Sequence, residues 1–230
     1  KNIFIIRAFY VTLPAELIMT KRILSITALL LLLASCNSYQ QLLKSTDPDV
    51  KFTAAKNYFQ EKDFSKSATL LEDIMSYYKG TSRSEEVLYL LAESYLGQED
   101  YYSAAEYYRT YVKSYPRGEF AADCKYMVGY CYYKDSSDPR LDQASTYSAI
   151  QAFGEFLEQY PHSERTPQAY QYLFELEDKL AYKGYLNAKL YYNLGMYLGN
   201  NYRSAIITAN NTLKDYPETK HREILLYLIL

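Results

Sequence analysis

The residue types that most often carry chemistry are rare in this sequence. Its 230 residues include three cysteines and two histidines, against 29 tyrosines and no tryptophan. Cys124 and Cys131 lie seven residues apart in one predicted helix, which separates them by about 10.5 Å along the axis. Since a disulfide requires Cα atoms within about 7 Å, we expect two buried thiols that pack as small apolar side chains.

The remaining polar residues form no recognisable catalytic or metal-binding motif. His162 and His221 lack partner motifs, and the zinc-peptidase, serine-hydrolase and phosphate-loop patterns do not occur. Two acidic pairs are typical of solvated helix faces: Glu85 with Glu86, and Glu155 with Glu158. We therefore predict that the protein is not an enzyme and has no catalytic residue, no metal site and no dissociable cofactor.

Cys36 differs from the other two cysteines because of the residues that precede it. Met19 is followed by two basic residues, an uncharged run of 11 residues from Ile23 to Leu33, and two small residues. This order is typical of a secretory signal, and the run is shorter than the about 20 residues that span a bilayer. Its ending, Leu-Ala-Ser-Cys, resembles the lipobox of bacterial lipoproteins, which implies cleavage before Cys36 and attachment of fatty-acyl chains such as palmitate.

The N-terminal part is accordingly divided into three segments. Residues 1–18 are interpreted as an upstream extension, 19–35 as a lipoprotein signal peptide and 36–46 as a lipid-anchored tether. Several acyl chains make a durable anchor, because each buried CH₂ contributes about 0.8 kcal/mol. The tether lacks the Asp that retains many lipoproteins at the inner membrane, so the lipobox resemblance implies the periplasmic face of the outer membrane. The alternative is an ordinary signal followed by a chance cysteine.

Composition limits the partners and the fold class of the remaining chain. The formal net charge is −2 and no Lys/Arg block occurs, which excludes nucleic-acid binding driven by bulk charge. With 49% hydrophobic residues, 8 glycines and 7 prolines, the chain is expected to be ordered. Its length allows a sizeable core without a metal or disulfide staple.

Residues 47–230 contain internal repeats. Aligning Asp63-Phe64 with Asp100-Tyr101 gives a shift of 37 residues. No Val/Ile/Thr-rich stretch alternates at period two, so strands are not expected. The pattern predicts an all-α fold, a right-handed α-solenoid of about four and a half TPR-like helix hairpins. Three segments end alike: Tyr115-Pro116, Tyr160-Pro161 and Tyr216-Pro217.

The second repeat fits the TPR pattern best. Ala92 and Ala104 are expected where the two helices of the hairpin cross most closely, and Pro116 ends the second helix because it lacks an N–H. The third repeat has a longer loop between its helices, starting at Asp135. The fourth repeat begins with a long helix near Thr166, and a further helix follows residue 218.

The first helices of three repeats carry an aromatic stripe that we expect to line a concave groove. Spacings of three, four and seven residues keep each set on one helix face. Six of the nine positions are aromatic, which favours a trough for peptides, since rings bury area and hydroxyls add adaptable hydrogen bonds. The alternative is a narrow groove in which the rings pack on one another. The positions are Phe52, Lys56, Phe59, Tyr89, Glu93, Leu96, Tyr126, Tyr130 and Tyr133.

Together with the lipobox, several motifs give the chain a family resemblance. They include 114–118 (Ser-Tyr-Pro-Arg-Gly), 160–163 (Tyr-Pro-His-Ser) and 213–219 (Leu-Lys-Asp-Tyr-Pro-Glu-Thr). In this order they resemble the BamD (YfiO) family, outer-membrane β-barrel assembly lipoproteins with TPR-like repeats. The family has about five repeats, so we expect this chain to be truncated in the fifth.

The resemblance implies a non-enzymatic subunit of the assembly machinery. Its later repeats would dock on the POTRA domains of a BamA-like barrel subunit, beside other assembly subunits, and its earlier repeats would recognise unfolded outer-membrane protein clients. Two alternatives stay open. A periplasmic TPR adaptor of the cell-division coordinator type usually lacks a lipobox, and a glycan-binding nutrient-uptake lipoprotein is usually rich in Trp.

Overall fold

The computed structural model describes residues 39–197 and 199–230. The predicted extension, the signal peptide and Cys36 lie outside these residues. The chain divides into two compact units, Lys1–Lys51 and Phe52–Leu230. Within the described residues the regular secondary structure is helical, with no strand, and residues 39–44 are helical as well. The helices are α1 (Pro48–Gln60), α2 (Phe64–Tyr78), α3 (Arg83–Gly97), α4 (Tyr101–Ser114), α5 (Ala121–Asp135), α6 (Ala144–Gln159), α7 (Thr166–Leu194), α8 (Asn201–Asp215) and α9 (Arg222–Tyr227).

The second unit is a run of helices in which each one packs against the next. This holds from α2 to α9, and α7 also contacts α5 and α9. Successive packing of helix pairs is the arrangement of a TPR-like α-solenoid. The predicted all-α fold is thus confirmed.

The turns inside three repeats share one geometry. Asp63, Asp100 and Asn200 cap the helices that follow them, because each side chain accepts a hydrogen bond from the backbone N–H three residues later. A residue with positive φ precedes each cap: Lys62, Glu99 and Gly199. The alignment of Asp63 with Asp100 therefore marks a repeated turn, and Asn200 extends it to the fourth repeat.

The repeats also end alike. Tyr115, Tyr160 and Tyr216 follow the last turns of α4, α6 and α8 with φ of −131°, −129° and −129°. Each tyrosine N–H still donates to the carbonyl four residues earlier, over 2.7–2.9 Å. The following proline disfavours a helical backbone at each tyrosine and has no N–H to continue the helix.

Small residues allow close helix approach in the core. Ala92 and Ala104, which the repeat register predicts at the closest crossing of the hairpin helices, are both fully buried. A Cβ atom on Gly129 would lie 2.7 Å from the ring of Phe153, so α5 and α6 meet at a position that excludes a side chain. In the last repeat, a Cβ on Gly184 would lie 2.2 Å from Thr212 Oγ1.

The long loop of the third repeat is fastened to α7. Lys179 Nζ donates to the Ser136 hydroxyl over 2.7 Å, and Lys183 Nζ donates to the carbonyls of Pro139 and Leu141 over 3.1 and 2.7 Å. Buried Gln143 donates to further loop carbonyls. The loop is not helical, so its carbonyl oxygens lack helical N–H donors, and these side chains supply the hydrogen bonds instead.

Candidate functional site

The predicted groove residues form three sets, one on the first helix of each of the first three repeats. In the first set, on α1, the side chains pack partly against neighbouring residues. Phe52 is 7% exposed, and its ring centroid lies 5.9 Å from that of Tyr78. Lys56 Nζ forms an ion pair with Glu86 over 2.7 Å. Phe59 packs edge-on against the ring of Phe64. Phe52 is therefore a core residue, which corrects its assignment to the groove.

The second set surrounds a half-buried carboxylate. Tyr89 stacks on Phe120 with centroids 4.1 Å apart. The Tyr108 hydroxyl donates to Glu93 Oε1, and burial raises the pKa of Glu93. Burial, followed by the nearby charge of Glu93, also raises the pKa of Tyr89. Leu96 packs on the central core. This set keeps a polar group at a partly exposed position.

The third set has a buried end and a more exposed end. Tyr126 is 3% exposed and lies between Phe153 and Phe156, at centroid distances of 5.8 and 5.5 Å. Tyr130 and Tyr133 are half-buried, and both contact the ring of Tyr172. Tyr126 therefore belongs to the core, which corrects its assignment to the groove.

The second and third sets both pack on one hydrophobic core cluster, but their rings do not form one continuous stack within the described residues. No ring contact there joins the Tyr89 cluster to the Tyr126 cluster. Helical periodicity placed Phe52 and Tyr126 on the same helix face as the other predicted groove residues of their repeats. In the structure, rings from the adjacent helix cover both side chains. Seven of the predicted positions are half-buried: Lys56, Phe59, Tyr89, Glu93, Leu96, Tyr130 and Tyr133.

Acidic side chains on the first helix of a repeat bind the loop that follows a Tyr-Pro motif. The sequence interpretation did not identify this role for Glu85. Glu85 on α3 accepts hydrogen bonds from the Tyr111 hydroxyl and from the N–H of Glu119, the latter over 2.9 Å. The Tyr111 oxygen accepts in turn from the N–H of Phe120 over 3.1 Å. Glu85 thus stabilises the loop through hydrogen bonds and is not the solvated side chain that the sequence suggested.

Equivalent ties hold the later loops. Asp178 on α7 accepts from the Thr219 hydroxyl over 2.7 Å and from the Lys220 N–H over 2.9 Å, and His221 Nε2 lies 3.5 Å from its other oxygen. Asp123 on α5 pairs with Arg165 over 3.3 Å. The Tyr-Pro motif in the sequence was the signal for these loops, but it did not identify the acids.

Cysteine and acidic side chains in the described part of the chain do not converge on a reactive centre. Cys124 and Cys131 are free and buried, as predicted, and burial raises the pKa of Cys131 to about 12. Over residues 39–197 and 199–230, no cluster of three or more His, Cys, Asp or Glu side chains has a metal-binding arrangement. No helix in the same range is both long and apolar enough to span a bilayer.

A second candidate site consists of apolar side chains at the end of α7 and in the turn after it. Met196 and Tyr197 are 69% and 68% exposed. Backbone hydrogen bonds hold the turn, from Tyr197 N to Leu194 O and from Asn201 N to Gly195 O, both over 2.9 Å. Exposed apolar patches of this kind mark interaction sites. We define the terminal apolar surface as Leu190, Tyr191, Leu194, Met196 and Tyr197, all exposed.

An apolar cavity of about 440 Å³ lies on the same part of the chain. Tyr185 and Tyr192 from α7 line it together with Ile224 and Tyr227 from α9. Tyr227 is 78% exposed. The region thus offers both a protruding apolar turn and a recess.

Repeated helix hairpins, fastened loops and exposed apolar surfaces define this protein as a TPR-like α-solenoid with candidate protein-binding faces. The family model for YfiO, described as outer membrane lipoprotein, matches residues 44–229. The chain therefore belongs to the BamD (YfiO) family of outer membrane lipoproteins.

One curated relative is the outer membrane protein assembly factor BamD of Caulobacter vibrioides. It is 27% identical over 121 residues, which cover 52% of this chain and 40% of the relative. The match thus spans less than half of that relative's length.

Proposed function

We propose that the protein is a non-enzymatic lipoprotein subunit of the machinery that assembles outer-membrane β-barrel proteins. In this proposal Cys36 carries the lipid, and the helical repeats extend from the periplasmic face of the outer membrane. The repeats hold a BamA-like barrel subunit through its POTRA domains, together with other assembly subunits, and recognise unfolded clients. Family membership and the similarity to the Caulobacter outer membrane protein assembly factor support this assignment.

The terminal apolar surface is the observation that carries the docking part of the proposal. Its turn is held by backbone hydrogen bonds, so little ordering entropy opposes binding through Met196 and Tyr197. Large apolar and aromatic side chains at the centre of an interface usually supply most of its affinity. We assign this surface to the barrel subunit.

Client recognition is assigned to the half-buried aromatic positions of the earlier repeats. Tyr89 beside Glu93, and Tyr130 beside Tyr133, present ring surface with hydroxyl groups nearby. Such rings can stack on the aromatic side chains of an extended client segment. Tyr126 supports Tyr130 from the core, with ring centroids 6.5 Å apart.

Affinity purification from detergent-solubilised envelopes tests the docking proposal. The BamA-like subunit should co-purify with the wild-type chain and be largely lost from a Met196→Ser/Tyr197→Ser variant. The matched control is Tyr77→Ser/Tyr102→Ser, because these side chains are 67% and 65% exposed but lie outside the terminal apolar surface. Equal recovery of the barrel subunit by all three proteins would remove this surface from the proposal.

Mass spectrometry tests the anchor. The mature N-terminus should be a lipidated Cys36, and Cys36→Ser should release the protein from the membrane fraction. An unmodified N-terminus at Asn37 or Ser38 would contradict the lipoprotein part of the proposal.

Binding of a client C-terminal peptide tests the recognition role. Tyr130→Ala should weaken binding by more than about 1 kcal/mol, as buried aromatic anchors do, while the helical circular dichroism stays unchanged. Tyr102→Ala serves as the control. If Tyr130→Ala bound the client peptide with unchanged affinity, client recognition at this position would be excluded, and only the docking of partner subunits would remain in the proposal.

A further inference from the structure

A second recess in the helical unit has a different chemistry from the apolar surfaces. Its volume is about 520 Å³, and side chains from α4, α5 and α6 line it. Val112, Val128 and Ala152 contribute apolar surface. The polar lining comprises Arg109, Lys113, Lys125, Ser148, Gln151 and Glu155.

This recess lies on another face of α5 from the aromatic stripe. At about 100° per residue, Lys125 and Val128 project more than 90° away from the mean direction of Tyr126, Tyr130 and Tyr133. No predicted groove residue lines the recess. The inference therefore does not depend on the proposed client or barrel-subunit contacts.

Two of the cationic groups are held in place by neighbouring side chains. The Arg109 guanidinium donates to the Tyr132 hydroxyl over 3.1 Å and lies 5.5 Å from the centre of that ring. Lys125 Nζ pairs with Glu155 over 2.5 Å, and the Lys125 side chain is only 18% exposed. Gln151 donates to the second Glu155 oxygen over 2.9 Å. The recess is thus preorganised before any ligand enters.

Lys113 supplies the charge that is left unbalanced. It is exposed at the last turn of α4 and makes no ion pair or hydrogen bond with the residues that the structure describes. Arg109 is already near Glu106, at 3.4 Å, but both side chains remain about half exposed. Glu106 offsets the charge of Arg109 and Glu155 offsets that of Lys125, so the recess keeps one excess positive charge, from Lys113, on a chain of net charge −2.

We propose that this recess binds an extended acidic peptide segment of a partner protein. A carboxylate of the segment pairs with Lys113 and Arg109, and an adjacent apolar side chain rests on Val112 and Val128. The lining offers acceptors as well as donors, namely Glu155, Ser148 and the Gln151 carbonyl. A peptide backbone can use both kinds of group, whereas a fully ionised phosphate presents only acceptors and leaves the acceptors of the lining without a donor.

Fluorescence anisotropy on the full chain in a non-ionic detergent tests this site. The probes are labelled, amidated peptides that combine Glu and Val at several spacings, and matched peptides with Gln in place of Glu. At least one Glu peptide should bind more tightly than its Gln counterpart, and added salt should weaken binding because exposed charges are screened. Failure of every Glu peptide to bind would overturn the proposal.

A matched pair of charge reversals locates the binding. Lys113→Glu should weaken the best Glu peptide about tenfold, which corresponds to about 1.4 kcal/mol. Lys214→Glu is the control, because Lys214 occupies the same place before the Tyr-Pro motif of α8 and does not line the recess. Equal effects of the two variants would show a non-specific charge effect and contradict the site.

Vesicles of phosphatidylglycerol and phosphatidylcholine distinguish an anionic lipid from a peptide. With Cys36→Ser in all three proteins, which removes the proposed acyl anchor, the chain with an unchanged recess, Lys113→Glu and Lys214→Glu should associate with these vesicles equally. If Lys113→Glu lost vesicle binding while it kept peptide binding, the recess would be a lipid-headgroup site and the peptide assignment would be wrong.

Discussion

Tyrosine is used in opposite ways in the central block, α3 to α6, and in the terminal block, residues 185–230. In the central block most of the rings are buried or half-buried, and several hydroxyls donate to glutamates on neighbouring helices, as in Tyr108 with Glu93 and Tyr132 with Glu106. In the terminal block, Tyr191, Tyr197 and other large apolar side chains are exposed. Tyrosine thus contributes mainly to packing in the central block, whereas in the terminal block its rings form exposed surface that a partner can contact.

The core of each block reflects this difference. The central block shares a large cluster that includes fully buried Phe153 and Phe156. The buried cluster of the terminal block consists of Ala188, Ala209 and Leu225. Since burial of apolar area contributes about 25 cal/mol per Å², substitutions in the central block should cost far more stability.

The largest expected effect is that of Tyr126→Ala. Removing a buried aromatic ring costs about 3–5 kcal/mol, so denaturant unfolding should show a clear loss of stability. Tyr197→Ala is the control, and an exposed substitution of this kind should stay within about 0.5 kcal/mol. Similar losses for both variants would break the comparison between the blocks.

The next effect concerns close packing at the hairpin of the second repeat. Ala104 is fully buried, so Ala104→Leu should overpack the hairpin and cost about 1–3 kcal/mol in thermal unfolding. Exposed Thr110 lies on the same helix, and Thr110→Leu should change stability little. Equal melting temperatures for Ala104→Leu and the wild type would contradict the repeat register.

A smaller effect is expected in the pH dependence of stability. The pKa of Glu93 is raised, chiefly by burial, so the folded chain holds this proton more tightly than the unfolded chain. Glu93 therefore contributes its full stabilisation to the free energy of unfolding below the pKa that it has in the unfolded chain. This contribution is lost as the pH rises through the pKa that Glu93 has in the folded chain.

Glu93→Gln should remove this pH-dependent loss of stability, because glutamine does not titrate. Its side-chain carbonyl still accepts the hydrogen bond from the Tyr108 hydroxyl. The difference in unfolding free energy between wild type and Glu93→Gln should change between mildly acidic and neutral pH. Exposed Glu158 provides the control, and Glu158→Gln should leave the pH profile nearly unchanged. A parallel profile for wild type and Glu93→Gln would exclude a raised pKa for this carboxylate.

The sequence predicted the features that depend on neighbouring residues. Asp63 and Asp100 appeared as equivalent positions, and the structure shows that both cap helices after the same turn. The Tyr-Pro motifs marked the ends of α4, α6 and α8 because proline acts locally on the backbone.

Features that depend on distant residues could not be obtained in this way. Glu85 binds a loop residue 34 positions away, and Asp178 binds groups 41 and 42 positions away. Periodicity also placed Tyr126 on a helix face without indicating that Phe153 and Phe156 would cover it. Coverage of a face depends on tertiary packing, which a single helix pattern does not specify.

Hydrogen exchange on the detergent-solubilised complex, compared with the chain alone, tests the central claim most directly. Binding of the BamA-like subunit should slow exchange in residues 190–197 and leave the core of α3 to α6 unchanged. Slower exchange confined to α3–α6, with none in residues 190–197, would contradict the assignment of barrel-subunit docking to the terminal block.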